Sequence, residues 1–335
     1  MALEIQVLGR PGRDNALWVK VDSGQAQHRL LFDCGEGCLP ALPRSEILEM
    51  DHLFFSHFHL DHVCGFDSLF RRIYNRESKP MGVWGPAGTV DLLHHRFQSF
   101  WWNLHKNQGG QWEVRDVGPE GVTAASRFLT REAFALRHPL PIPPGPSPIH
   151  IGEDFSVEAM VLEHHGPSIA FLVREPFRVH VRSERLAELG IRPGPWVRQL
   201  KEGVFEDELV SADGTRWTAP ALREILLWES KGESVAYLTD FLLDDAARER
   251  LVPWLKGIGT LVCESQYRHA DRDLAKKNCH ATARGVAKLA RDAEVNRLLL
   301  MHLSERYSER DWESMLREAR RVFPPSEFPP AWEIG

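Results

Sequence analysis

Apolar positions along the chain follow two periods, and the change from one to the other orders its elements. Residues 4–8, 17–21 and 30–33 are short apolar or alternating runs separated by Gly-rich turns, which predicts strands. The run 52–56 (HLFFS) is continuously apolar, as a buried strand is, and 81–84 is a further short strand. After the first of these, Val63, Phe66, Leu69, Phe70 and Ile73 recur at helical spacing; from Val90, so do Leu93, Phe97, Phe100, Trp101 and Leu104. Trp101 and Trp102 can stack on bases, but the helical period assigns them to core packing. Residues 106–150 read as loop. Six prolines between 139 and 148 exclude helix and inner strand, leaving a stiff flap over a cleft or an ordinary surface connection. Strands return at 156–163, 168–173, 234–239, 260–263 and 297–301, with helical patterns at 243–255, 282–293 and 309–322. This β-then-βα order predicts an α/β protein with sheets inside and helices outside.

Four of these strands run into a metal-binding residue type. HLFFS leads into His57, His59, Asp61 and His62; EAMVLE into His164; SVAYLT into Asp240; RLLLM into His302. Open α/β sheets bind ligands at the carboxyl ends of their strands, so these residues are expected to converge in one crevice. In an extended segment His57 and His59 point the same way and can share one ion, while Asp61 and His62 fall where the chain turns into the next helix and can reach a second. Taken alone, HFHLDHV also fits the wet face of an edge strand; three further strand ends of the same kind argue against that. Five imidazoles and two carboxylates without a thiolate suit two divalent ions, zinc first, with manganese or iron also accommodated. Two such ions carry four positive charges; two carboxylates and a hydroxide leave one, which favours an anionic substrate and water attack on a phosphodiester or acyl centre.

Composition narrows the setting. The chain has 335 residues, 43% of them apolar, enough for a sizeable core. A net charge of -6 argues against a general nucleic-acid coat. Residues 174–203 stand apart: Arg174, Arg178, Arg182, Arg185, Arg192, Arg198 and Lys201 face only Glu175, Glu184, Glu188 and Glu202. Such a stretch is either a phosphate-binding surface or a solvated charged hairpin. Five cysteines without a CxxC pair fit a reducing cytoplasm. No secretory signal and no apolar run of about 18 residues is present, so a membrane location is not expected.

Several motifs together resemble the metallo-β-lactamase superfamily, and within it the ribonuclease Z (tRNA 3′-endonuclease) family. They are His57–His62, Phe32-Asp33-Cys34-Gly35-Glu36-Gly37, Leu162-Glu163-His164-His165-Gly166-Pro167, Tyr237-Leu238-Thr239-Asp240, His280-Ala281-Thr282 and His302-Leu303-Ser304-Glu305-Arg306-Tyr307. Glu188 to Trp196, followed by Leu200-Lys201, resembles the family's protruding Gly-Pro arm. The resemblance implies a four-layer αββα sandwich formed by one domain, 1–335, with an arm at 174–215. It also implies that His57, His59 and His164 bind one metal, that Asp61, His62 and His302 bind the other, and that Asp240 bridges. Asp61 would orient the attacking water, and His280 and Arg306 would contact the scissile phosphate, with His280 as acid. Glu264 either orients His280 or is a plain helix-start or surface carboxylate. The basic residues 178–201 would hold tRNA, and the family precedent is a homodimer.

The chain departs from the family pattern after His62 (Gly65-Phe66-Asp67-Ser68-Leu69-Phe70), at Ala281 and at Phe241. None of these is a ligand position, but loops select substrates. The expected substrate is therefore precursor tRNA, with a small phosphodiester or cyclic nucleotide as the alternative. A di-iron oxidoreductase or mononuclear dioxygenase is disfavoured by the complete His-x-His-x-Asp-His run.

Overall fold

The computed structural model describes residues 2–334. Its first sheet follows the order β1 (Ala2–Gly9), β2 (Asn15–Asp22), β3 (Gln27–Phe32), β4 (His52–Phe54), β5 (Met81–Pro86), β6 (Gln111–Gly118), β7 (Gly121–Leu129), β8 (His138–Pro139). Strands β3 to β6 are parallel, and the outer pairs are antiparallel hairpins. The second sheet opens with antiparallel β9 (His150–Ile151), β10 (Ser156–Glu163) and β11 (Pro167–Arg174). An inserted segment carries β12 (Arg178–Val181), β13 (Leu209–Val210), β14 (Arg216–Trp217) and β15 (Leu227–Ser230). Then β16 (Ser234–Leu238) pairs antiparallel with β11 and begins the parallel run β16, β17 (Thr260–Glu264), β18 (Arg297–Met301) and β19 (Ser326–Glu327).

Alternation along β3 explains the layering. Leu30 and Phe32 face the second sheet, where Phe32 stacks on Phe54 at 4.8 Å between ring centroids and both meet Phe171. Leu31 faces the other way, into a separate core with Leu53, Val83 and the helices Phe66–Ile73 and Thr89–Phe97. The first core continues through the second sheet to Leu251, Val286 and Met315 on the helices Asp245–Trp254, Ala283–Asp292 and Glu309–Val322. Helix, sheet, sheet, helix is the αββα sandwich that the motif resemblance implied.

Two sequence readings are corrected. Residues 106–150 are not all loop, because β6 and β7 form a long hairpin there. Trp112 and Val114 alternate inward, but Glu113 on the opposite face pairs with both Arg115 and Arg127 at 2.7 Å, and that density of charge hid a period of two. The helix from Thr89 ends at Phe97, not near Leu104, and Trp101 is 94% exposed. Trp101 is thus not a core residue, whereas half-buried Trp102 packs on Phe134 at 4.9 Å. The apolar spacing beyond Phe97 coincided with a helix that Ser99 and Asn103 do not continue. The proline-rich segment is an exposed connection from β8 to β9, and Gly145 lies against Gly121 in the β6–β7 turn.

Glu175–Gly232 is a compact unit of its own. β12 pairs with β15 and β13 with β14, and three short helices lie between them: Ser183–Glu188, Pro195–Lys201 and Ala219–Leu226. Leu186, Ile191, Leu200, Phe205, Leu222 and Leu226 form its core. Gly190 ends the first helix at φ +62, where an added Cβ would sit 2.5 Å from that of Ala212. Residues past 215 belong to the unit because Leu222, Leu226 and β15 close its core. Across the unit, nine Lys and Arg face ten Asp and Glu, so the basic excess of 174–203 is local.

Candidate metal centre

Parallel strands bring their carboxyl ends to one edge, and the chemistry-bearing residues lie just beyond them. Asp33 follows β3, the segment His57–His62 follows β4, Asp240 follows β16, and His302 follows β18; His164 sits in the turn between β10 and β11. Asp33, Asp240 and His302 all take left-handed backbone conformations, with φ of 58, 49 and 53. Such conformations cost about 1–3 kcal/mol each and are held only where surrounding contacts impose them. His59 precedes the short helix Leu60–Val63, which carries Asp61 and His62. That helix is tied to the end of β3 by Cys34 N–H donating to the His62 carbonyl at 2.8 Å. The approach requires glycines: a Cβ on Gly65 would lie 2.4 Å from the Gly35 carbonyl oxygen, and one on Gly35 would lie 2.5 Å from that of Asp61.

All seven residues singled out from the sequence as ligands meet here in two groups that share Asp240: His57, His59, His164 and Asp240, then Asp61, His62, Asp240 and His302. Asp240 divides its oxygens between them. Oδ2 is 3.8 Å from His57 Nε2 and 3.5 Å from His164 Nε2, whereas Oδ1 is 3.5 Å from His62 Nε2 and 3.3 Å from His302 Nδ1. Asp61 Oδ2 lies 3.3 Å from His62 Nε2 and 3.5 Å from His302 Nε2. Burial and its neighbouring histidines push the His57 pKa down to about 3, which keeps the imidazole neutral. Burial opposes charge on Asp61, but the hydrogen bond from His302 and the neighbouring His62 override it and hold the carboxylate ionised. Burial opposes charge on His62 and His302 as well, but there Asp240 prevails and raises both, so an ion would have to displace their protons, because neutral imidazoles and ionised carboxylates are the states that bind metal.

A fully buried carboxylate, Asp33, aims two of the imidazoles. Its Oδ2 accepts from His62 Nδ1, Ser56 Oγ and Tyr237 OH, each at 2.8 Å, and its Oδ1 accepts from Ser56 N–H at 2.7 Å. Ser56 Oγ in turn accepts from His57 Nδ1 at 3.0 Å. With both Nδ1 atoms engaged, His57 Nε2 and His62 Nε2 face the cluster, buried and without a hydrogen-bond partner. Leaving such atoms bare costs about 1–3 kcal/mol each, and a cation is the partner that would satisfy them. His164 Nδ1 donates to the Cys279 carbonyl at 2.9 Å, and Thr239 Oγ1 donates to Asp240 Oδ1 at 2.6 Å. The residues present therefore fit two divalent ions. Asp33 entered the sequence reading only as part of a motif; its place at a strand end, like the ligands', was the available signal. Thr239 likewise entered only within a motif, and for Ser56 and the Cys279 carbonyl the chain offered no signal.

A third group extends the centre. His280 lies 4.8 Å from the His164 ring, and its Nδ1 is 2.9 Å from Glu264 Oε2. Glu264 is fully buried and also accepts from Phe241 N–H at 2.9 Å, so the structure places it against His280 and not at the surface. Burial alone pulls the His280 pKa down; the charge and hydrogen bond of Glu264 reverse this and leave it raised. Arg306 is exposed, its guanidinium 5.1 Å from the Tyr267 ring, which is itself 5.8 Å from the His280 ring.

A family model described as a beta-lactamase superfamily domain matches residues 28–172. Ribonuclease Z of Deinococcus radiodurans is 44% identical over 333 residues, 99% of each chain. That of Brevibacillus brevis is 29% identical, covering 91% of this chain and 86% of its own. Among solved structures, YhfI from Bacillus subtilis has a TM-score of 0.56 at 15% identity, covering 97% of this chain and 95% of its own. The short form of human tRNase Z has a TM-score of 0.53 at 18% identity, covering 90% and 93%. These two structures share the fold, while the Deinococcus protein matches in sequence from end to end. The chain belongs to the ribonuclease Z family of metal-dependent endoribonucleases built on the metallo-β-lactamase fold.

Proposed function

We propose that this chain cleaves precursor tRNA at the 3′ end of the mature sequence, with two divalent ions, zinc first among them, held by its seven strand-end ligands. One observation carries the reading: Asp240 turns one oxygen to His57 and His164 and the other to His62 and His302, as a carboxylate shared by two ions does. When bound, such ions make hydroxide available at neutral pH and neutralise charge on phosphate oxygens. Asp61, half-buried at the rim, orients the attacking water and accepts its proton. His280 has Nδ1 engaged by Glu264, so the proton it gives to the leaving 3′ oxygen sits on Nε2. Glu264 positions that ring. Arg306, exposed at the edge of the same group, supplies charge for the phosphate oxygens. The imidazole and carboxylate donor set supports zinc, with manganese and iron as competitors.

We also read the protein as a cytoplasmic homodimer whose inserted unit serves as a tRNA-docking arm. Support for the location comes from five free cysteines among the described residues, and support for the dimer and the arm from the family resemblance. Metal-loaded protein is assayed on a precursor tRNA and on bis(p-nitrophenyl) phosphate. Cleavage of the precursor at the mature 3′ end is the expected result. Hydrolysis of the small ester alone would overturn the tRNA reading and favour a small phosphodiester or cyclic nucleotide.

A further inference from the structure

Beside His280 opens a cavity of about 340 Å³ lined by His269, Arg272, Lys276 and the start of the helix Ala283–Asp292. It does not stand alone. His269 also lines two neighbouring cavities, of about 420 and 350 Å³, both of which contain Arg284. One of these adds Arg321 and the other Lys288. Shared lining residues join the three cavities, and Arg272, Lys276, Arg284, Lys288 and Arg321 lead away from the edge of the metal centre, within a chain whose net charge is -6.

Three features set this surface apart from ordinary solvated charge. Lys276, Arg284, Lys288 and Arg321 are exposed, and among the described residues none has an ion-pair partner. Arg284 and Lys288 are also four residues apart on one helix, an arrangement that destabilises a helix unless something neutralises it. Arg284 and Arg272 lie close enough to His269 to depress its pKa, after burial, so the cations crowd one another. By contrast, in the inserted unit the basic residues of the predicted tRNA contact are largely spent. Arg178, Arg185 and Arg198 are paired with Glu175, Glu188 and Glu202, and Arg182 donates to the Ile225 carbonyl. Asp244, Asp245 and Asp273 also line the first cavity and Glu318 the second; the Asp244 carboxylate is occupied in capping a helix through Ala247 N–H, and that of Asp273 lies 4.0 Å from Arg272.

We propose that His269, Arg272, Lys276, Arg284 and Lys288 form the docking track for the sugar-phosphate backbone of the tRNA acceptor stem, and that the mature strand, not the 3′ trailer, runs along it. The polarity follows from the proton donor and rests on the tRNA reading above. Phosphoryl transfer to water places the attacking and leaving oxygens in line, on opposite sides of phosphorus. If His280 protonates the leaving 3′ oxygen, the nucleoside that carries that oxygen lies on the His280 side. The track begins at His280, so the strand leading to that nucleoside lies over it.

The test is the variant Lys276→Gln/Arg284→Gln/Lys288→Gln, all at exposed positions, read by metal content, thermal melting and fluorescence anisotropy with mature tRNA over a range of salt. The slope of log affinity against log salt should flatten by about 2–3, from roughly 0.7–0.9 per lost phosphate contact. Binding of a free 3′-trailer oligonucleotide should be unchanged. A charge-matched control, Arg44→Gln/Arg71→Gln/Arg72→Gln, removes three cations from a different cavity and should leave the slope as it is. Equal flattening in both variants, or loss confined to the trailer, overturns the proposal. A wild-type protein that cleaves precursor tRNA while the track variant binds mature tRNA normally also overturns it. A wild-type protein with no action on precursor tRNA overturns the functional reading as well.

Discussion

At the strand ends, Asp33, Asp240 and Glu264 are buried carboxylates whose partners come from remote parts of the chain: Asp33 takes Tyr237 and His62, and Glu264 takes His280. In Glu175–Gly232 Arg178 pairs with Glu175, Arg185 with Glu188 and Arg198 with Glu202, each three or four residues apart, and Arg216 with Glu208, eight apart. The first kind of charge is set by tertiary structure, and removing one partner leaves a buried group uncompensated. Exposed pairs such as Arg185 with Glu188 are local and contribute little. Counting Arg and Lys along a sequence therefore overstates the charge that a helical segment offers a ligand, whereas buried carboxylates at strand ends are worth more than their number suggests.

That contrast breaks first at Asp240. Asp240→Ala should lose metal at both positions, because its two oxygens face different groups, and phosphodiesterase activity should vanish with the metal. Elemental analysis of the purified variant decides it; two full equivalents per chain would sink the shared-ligand assignment. His280→Ala should keep both metals yet lose about 10²–10⁴ in rate on an unactivated phosphodiester. Near-wild-type turnover on such a substrate would remove His280 from the chemistry. Glu264→Gln sharpens the same point through pH. Since Glu264 raises the His280 pKa, the protonated acid persists to higher pH in the wild type, and the alkaline limb of the pH–rate profile should move to lower pH in the variant. An unmoved limb would mean that Glu264 does not tune His280.

Smaller effects should follow further out. Asp33→Asn keeps the shape but weakens the hold on His62 and Ser56, so metal affinity should drop about 10–100-fold, measured by competition with a chelator. In the inserted unit, Arg185→Ala should shift stability by no more than about 0.5 kcal/mol in denaturant melts. A loss of several times that would show that local pairs there matter as the buried ones do. Arg174 and Ser234 are register partners in β11 and β16, so a short Gly-Ser turn can replace Glu175–Gly232 without straining the sheet.

Much of the centre was legible because each ligand follows an apolar strand, and a strand's carboxyl end is a place where backbone direction alone concentrates ligands. The helix at 309–322 coincided with the structure, since its stripe of Trp312, Met315 and Ala319 is unambiguous. The β6–β7 hairpin was not legible. Its outward face is a Glu113, Arg115 and Arg127 network, and a charged face masks alternation when the partner strand is unknown. Trp101 misled for the converse reason, because an apolar residue at helical spacing carries no record of where the helix stops.

By itself, the sequence determined the donor types, their attachment to four strand ends and the layered α/β class, because these depend on residue identity and on periods of two and 3.6 residues. Only the tertiary structure decided that Asp33 stands behind His57 and His62, that Glu264 is buried against His280, and which cations are free. Those facts depend on which strands become neighbours and on what each side chain meets across tens or hundreds of residues, and no local period encodes that distance.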